Sequence, residues 1–561
     1  MEKKLPELRW MADGKLNERY AAPLSLLRAC GYSYEDLAKP RIAIVNTFSE
    51  MNPGHIHLKA LGEKVRLGIR EAGGMPFEFN CVSVCDSVCE GPYVLPSRDL
   101  LVNEIELLVE GNKMDAMVLL GTCDKVVPGL LMAAARLDLP AIVVTGGYMR
   151  TGSFRGEKCD FINIGQVLSG VLSGTMTQQD LDTVIENACP GPGACGMMGT
   201  ANSMCIIAET LGMSYPGNST TCAEDEALQE MAYRAGKDIM TLWANGITAR
   251  KIITPESVTN AVKVCMAVGG SSNTIIHLPA IATEAELDME CSRIYTEASN
   301  EIPLLVGIRP NHGMHSMTEF DEAGGLTALL ASLKSHLALD TLTVTGKTLG
   351  ENLAADPEAC KIRNPELIHT IDDPVSNDGG LVLCKGNLAP DGAIIKRSAA
   401  PVDMIAFRGP ANVFDDCDEA IRAIYDGRIH EGEVVVIRYL GIKAGPATAY
   451  PFVTALKGSK LKDKVALVTD GRTSGAAAGA CFQYASPEAY QRGPICAVKN
   501  GDIIHYDIDR QLLEIELSDE ELAKRMEEAE LNFRPKKGYL GIYQKTVGPF
   551  LKGAVLRGNW D

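Results

Sequence analysis

Apolar and polar positions along this chain follow two different periods. In the first third, the β-branched runs Arg41–Asn46, 77–84, Ala116–Gly121 and 140–145 predict strands. Between them, residues 55–72, 130–137 and a stretch capped by Ser97 and running to Glu110 carry helical periodicity. Gly73-Gly74 and Gly146-Gly147 supply stops. Such β–α alternation predicts a mainly parallel sheet with helices on both faces. The middle of the chain predicts helices at Gln178–Asn187, 200–211, 224–242 and Pro255–Ala267. The last third changes character, with strands predicted at 434–439, 465–469 and 495–498 and little helix between them. An Asn500-Gly501 hairpin signal then leads into the alternating run IIHYDI. The fold class expected is α/β: a parallel-sheet α/β domain over residues 1–375, then a β-barrel-like domain over 376–561.

A chain of 561 residues is long enough for two or three cores. Its 54 basic and 72 acidic residues give a net charge of −18, which repels phosphate backbones and anionic lipid. No basic block offsets it, so nucleic acid is not an expected partner. The N-terminal residues carry no apolar h-region, and no apolar run approaches the length of a membrane span. A cytoplasmic protein is expected. In a reducing compartment the 17 cysteines are not structural disulfides. Cys30, Cys205, Cys265, Cys360 and Cys496 lie in apolar surroundings and read as small core residues. Cys81, Cys85, Cys89, Cys123, Cys189 and Cys195 lie in short polar or glycine-rich stretches where metals could bind.

Gly121-Thr122-Cys123-Asp124-Lys125 follows a predicted strand directly, where ligands gather in open parallel sheets. It offers a soft ligand, a hard ligand and an amine in consecutive positions. Taken alone it is equally a polar turn. Cys189-Pro-Gly-Pro-Gly-Ala-Cys195 puts two thiols in a loop whose glycines would let the backbone approach an iron–sulfur cluster. Its spacing is that of neither a ferredoxin nor a zinc finger. The run Val465-Ala-Leu-Val-Thr-Asp-Gly-Arg472-Thr-Ser474-Gly475 carries a strand into a glycine-flanked serine beside an arginine. Without context, Ser474 reads as a turn residue. With context, its alkoxide could be stabilised by the nearby charge. The Gly/Ser/Asn turns 215–220, 269–274, 377–380 and 385–392 are rich in donors and together read as scaffolding for a small anion.

The ordered set GTCDK, ACPGPGACG, PGNST, GGSSNT, KGNLAPDG, VIRYLG and TDGRTSG resembles the dihydroxy-acid and 6-phosphogluconate dehydratase family over nearly the whole chain. The resemblance is closest to the dihydroxy-acid dehydratase branch. It implies a hydro-lyase that converts a 2,3-dihydroxy acid to a 2-keto acid in branched-chain amino acid synthesis. It also implies an iron–sulfur cluster held by Cys123 and Cys195, and Mg²⁺ held by Asp86, Asp124 and a carbamylated Lys125. Ser474 matches the catalytic base, and a homodimer or homotetramer is implied. The alternatives are a sugar-acid dehydratase working on an aldonate and a non-catalytic iron–sulfur sensor.

The chain departs from the family pattern at four places. Where the three-cysteine [2Fe–2S] members have Cys, it has Gly54, which resembles the two-cysteine [4Fe–4S] subgroup. Cys85 or Cys89 is then a candidate third ligand. The loop after Asp86 is shortened and has lost its His. The family's metal-binding Glu is absent from residues 445–452, which leaves Glu90 as a candidate replacement. Leu440 and Ala476–Ala478 are apolar replacements that point to a small apolar substrate pocket.

Overall fold

A computed structural model describes residues 11–12, 15–16, 21–89, 91–172, 174–311, 315–475, 477 and 479–556. The N-terminal domain is built on four parallel strands, β1 (Arg41–Asn46), β2 (Met75–Asn80), β3 (Ala116–Gly121) and β4 (Ala141–Thr145), in the order β2-β1-β3-β4. Every residue of β1, β3 and β4 is buried, as expected when helices cover both faces of a parallel sheet. Helix α1 (Leu58–Glu71) returns the chain leftward to β2. Helices α2 (Gly91–Gly111) and α3 (Val126–Leu137) carry it rightward to β3 and β4. Right-handed crossovers in opposite directions put these helices on opposite faces. On the α1 face, helix Glu226–Asn245 packs so closely that a Cβ on Gly236 would stand 2.1 Å from the Val65 carbonyl oxygen.

Predictions fail at α2, at residues 495–498 and between the strands of the last third, where helix Tyr450–Lys457 occupies a stretch expected to hold little helix. Ser97 does not cap a helix; α2 starts at Gly91, and the Ser97 hydroxyl donates to the Val94 carbonyl from inside it. The segment read as a strand at 495–498 is a 3₁₀ turn, Pro494–Ala497, closed by the Cys496 N–H on the Gly493 carbonyl. Asn500-Gly501 therefore turns the chain into a strand without joining two paired strands.

The C-terminal domain is a closed eight-stranded barrel of β5 (Val382–Gly386), β6 (Ala389–Ile395), β7 (Ala406–Phe414), β8 (Val434–Ile437), β9 (Ala466–Thr469), β10 (Cys481–Ser486), β11 (Ile503–Asp507) and β12 (Leu512–Ile515). Around the barrel the order is β6-β10-β9-β8-β7-β11-β12-β5. The uninterrupted VVVI of β8 is explained by two cores. Val434 and Val436 point into the barrel, whereas Val435 and Ile437 face outward against helices Cys417–Tyr425 and Tyr450–Lys457. In β11 the burial alternates, as the IIHYDI pattern predicts.

Among the cysteines read as core residues, Cys205, Cys265 and Cys496 are buried. Cys360 is half-buried, and Cys30 is exposed just past the end of helix Ala21–Ala29. Cys81, set apart as a possible ligand, joins the α/β core instead. No helix among the described residues is long and apolar enough to cross a membrane.

The chain end is tied back to the first domain. Arg98, fully buried on α2, donates to the carbonyls of Gly553 at 2.8 Å and Ala554 at 2.9 Å and pairs with Asp99 at 3.0 Å. Removing the guanidinium leaves a buried carboxyl and two carbonyls without their donor. Arg98→Met should therefore lower the unfolding free energy by about 3–5 kcal/mol in a denaturant titration. A loss below about 1 kcal/mol would mean that this tie carries no stability.

Candidate active site

The strand order reverses between β1 and β3, and ligands in such sheets bind outside the strand ends at that switch. The loops after β1, β2 and β3 meet there. His55, fully buried in the first loop, organises the third. Its Nδ1 lies 2.7 Å from the Thr47 carbonyl and must donate to it. Nε2 is then an acceptor, and it receives the backbone N–H of Thr122 at 3.3 Å and of Cys123 at 3.0 Å. Burial holds the His55 ring near 4, so it stays neutral and keeps this tautomer at neutral pH. The Cys123 thiol donates to the Asn52 side-chain oxygen at 3.2 Å. A Cβ on Gly54 would stand 2.5 Å from the Cys123 sulfur, so only glycine leaves the thiol where it is.

A cleft opens over these loops, and its lining includes Cys85, Asp86, Cys123, Asp124, Cys195 and Ser474. The predicted residues are thus brought to one place from four separate segments, with Lys125 buried beneath. Of the two candidates for a third thiol, Cys85 lines the cleft and Cys89 does not. Cys189, exposed at the start of its loop, is also outside it. Burial raises the Cys85, Cys123 and Cys195 thiols above their ordinary range; Asp124 adds to all three, and neighbouring thiols add to Cys123 and Cys195. Glu90, Ala476 and Ala478 lie outside the described residues.

Asp86 is clasped from the barrel side by Arg472, whose two terminal nitrogens donate to its two oxygens at 2.8 and 3.1 Å. Burial opposes ionisation of Asp86, but Arg472 and then Lys125 outweigh it and hold the carboxyl well below its usual range. Asp124 is pushed the other way, first by burial and then by Asp86, to which it is hydrogen-bonded. Lys125 is 1% exposed, with its Nζ 3.6 Å from an Asp124 oxygen. That nitrogen has no hydrogen-bond partner, and burial lowers its pKa. Among the described residues, no three His, Cys, Asp or Glu side chains stand at the spacing that holds a single ion. Thiols that share a polynuclear cluster have several atoms between them and need no such convergence.

Several expectations are corrected by this geometry. Arg472 is engaged with Asp86, so its charge is not reserved for Ser474. Residues 445–452 contribute a prop in place of a carboxylate: the Ala449 N–H and the Thr448 hydroxyl donate to the Arg472 carbonyl at 2.8 and 3.3 Å. Leu440 packs in the outer barrel core and does not line the cleft. The turn 385–392 is the hairpin between β5 and β6. Asn218 and Ser219 are spent on the Thr145 N–H and on Glu209. The GGSSNT turn ties the two domains together, with Asn273 donating to the Thr473 carbonyl at 3.3 Å. Sequence reasoning missed His55, Asn52 and Lys396. Only the first two had a signal, since they lie in a polar turn directly after a strand.

The profile described as dihydroxy-acid/6-phosphogluconate dehydratase N-terminal matches residues 39–352, and its C-terminal counterpart matches residues 366–554. A dihydroxy-acid dehydratase of Methanobrevibacter smithii is 42% identical over 540 residues, covering 95% of this chain and 97% of that protein. Those of Methanococcoides burtonii and Caldicellulosiruptor saccharolyticus are 42% and 44% identical, covering 96% and 95% of this chain and 99% and 97% of their own lengths. With both profiles matched and identity at this level from end to end, the chain belongs to the dihydroxy-acid/6-phosphogluconate dehydratase family.

Proposed function

We propose that this dehydratase removes water from a 2,3-dihydroxy carboxylic acid to give a 2-keto acid, in the manner of the dihydroxy-acid dehydratases of branched-chain amino acid synthesis. The observation that carries the reading is the single cleft shared by three thiols, two carboxylates and Ser474. Cys123, Cys195 and Cys85 would hold an iron–sulfur cluster, [4Fe–4S] rather than [2Fe–2S] because Gly54 offers no thiol. Asp86, Asp124 and a carbamylated Lys125 would hold Mg²⁺. The partnerless Lys125 nitrogen and the mutually repelling carboxyls fit that assignment. When bound, a cluster with an open iron site supplies a Lewis acid for the C3 hydroxyl. When bound, Mg²⁺ supplies positive charge where the enolate oxygen develops.

The chain's own residues do the rest. Ser474, as an alkoxide, takes the C2 proton. The C2–H electron pair moves into the bond toward the carboxylate, and then into a C2–C3 double bond as hydroxide leaves C3. The enol gains a proton at C3 as its C2 hydroxyl gives one up, and becomes the 2-keto acid, so that one water is lost overall. Arg472 keeps Asp86 charged and in place at the cleft. The enzyme acts in the cytoplasm as a homodimer or homotetramer, which light scattering after gel filtration tests directly. A panel of branched-chain dihydroxy acids and aldonates, assayed without air, tests the substrate class. Turnover of aldonates alone would replace this reading with that of a sugar-acid dehydratase.

Protein purified anaerobically should contain iron and absorb in the visible, and it should bleach in air. Cys123→Ser or Cys195→Ser should lose both colour and activity. A colourless, iron-free wild type with full activity would overturn the cluster assignment. Ser474→Ala should keep the colour and lose turnover by far more than tenfold, which is about 1.4 kcal/mol of barrier. Activity within that margin would give the proton to another residue. With one anionic ligand fewer than the family pattern, Mg²⁺ should be needed at about millimolar levels. Full activity after exhaustive chelation would show that no divalent ion is required.

A further inference from the structure

Lys396 follows β6 and is only 4% exposed. Its Nζ donates to two carbonyls, that of Met198 at 3.3 Å and that of Gly475 at 3.2 Å. The first belongs to the α/β domain, in the loop that leads from Cys195 into helix Thr200–Thr210. The second belongs to the residue directly after Ser474. Among the described residues, the groups acting on the Lys396 charge are Cys265 and Lys457, with no carboxylate among them, and burial lowers its pKa to about 7. An ammonium buried without a counter-ion is costly, and such groups are usually paired.

The peptide on the other side of Ser474 is held as well. The Thr473 carbonyl accepts from Asn273, and the Thr473 N–H donates to the Gln483 side-chain oxygen at 2.8 Å. The turn has no slack, since a Cβ on Gly475 would stand 2.7 Å from the Thr200 nitrogen. Asn273 fixes the carbonyl before Ser474, and Lys396 fixes the one after it.

We propose that Lys396 is the positioning residue of Ser474: it ties the peptide after the serine to the Met198 carbonyl across the domain seam, and its ammonium favours the alkoxide form in which that serine acts as base. The proposal rests on the reading of Ser474 as the base. It makes proton removal from C2 the step that depends on Lys396, and it leaves substrate binding to other groups.

The test uses anaerobically prepared, cluster-loaded wild type, Lys396→Met, Lys396→Arg and Ser474→Ala. For each, kcat, KM, the isotope effect on kcat with C2-deuterated substrate, and thermal unfolding are measured. Lys396→Met should lower kcat by about 10²–10³-fold, the range seen when one preorganised donor is lost. KM should stay within about threefold, and the isotope effect should rise as proton transfer becomes fully limiting. Lys396→Arg, which keeps the charge, should recover at least about tenfold of the loss. A Lys396→Met enzyme with wild-type kcat, or one whose loss leaves the isotope effect unchanged, sinks this proposal while an inactive Ser474→Ala upholds the base. If Lys396→Met does not fold, Lys396→Gln decides by the same criteria. An active Ser474→Ala overturns the reading of the base and this proposal with it.

Discussion

The architecture of the cleft depends on the ion pair between Arg472 and Asp86. One partner belongs to the barrel and the other to the loop after β2, and their side chains are 2% and 16% exposed. Moving both charges out of water is costly, and bidentate geometry in a low-dielectric site is what offsets that cost. The pair fixes the distance between the domains at the point where the cleft opens. It also sets the charge state of its neighbours. With Asp86 kept anionic by Arg472 and Lys125, a second carboxylate beside it is disfavoured, and Asp124 is pushed toward its protonated form. A divalent cation entering between them would reverse that balance, because it favours both carboxylates at once.

Elsewhere along the seam, further polar ties stand beside apolar packing of Leu383 and Ile394 into the α/β core. Gln483 donates to the Ser272 hydroxyl at 2.8 Å, the Tyr484 hydroxyl donates to Asn273 at 2.7 Å, and Ser398 donates to Asn311 at 2.7 Å. These bonds are directional, whereas two apolar faces could slide. Such a seam holds a serine from one domain opposite thiols and carboxylates from the other, and preorganisation of this kind lowers a barrier without any movement during the reaction.

The fold was legible wherever a single period held over enough residues. The strands at Arg41–Asn46 and Ala116–Gly121 and the helices Gln178–Asn187 and Pro255–Ala267 end where their patterns end. The failures have local causes. Ser97 looked like a cap because α2 carries Pro96 just before it, yet a helix that begins at Gly91 tolerates that proline in its second turn. Residues 495–498 are buried and apolar in either conformation, so burial alone could not tell a strand from a 3₁₀ turn. Cys123, Asp124, Lys125, Cys195 and Ser474 stood out as short runs of unusual composition, but their roles came from the family resemblance; the structure gathers them at one cleft. His55 had only the hint of a polar stretch after a strand and Lys396 had none, because what makes them matter is what they touch, and those partners lie 68 and 79 residues away in sequence. The polar turns misled in a consistent way: their donors and acceptors hold the seam and the core together, and no sequence pattern separates that use from anion binding.

The thiols add a last constraint. Cys123, Cys85 and Cys195 come from three loops, and burial makes each a reluctant thiolate. The cations nearest the cleft, Lys125 and Arg472, act on Asp86 and Asp124. Among the described residues, no cation is found among the groups acting on the three thiols, and the Cys123 thiol donates its proton to Asn52. A metal cluster bound here would have to bring its own positive charge and expel the thiol protons as it entered, so its affinity would weaken as the pH is lowered. Gly54 belongs to the same constraint: any side chain there would press on the Cys123 sulfur, which ties the identity of one residue in the first loop to the position of the ligand in the third. Cys85, on the loop after β2, already lines the cleft beside Cys123 and offers the third thiol that Gly54 cannot.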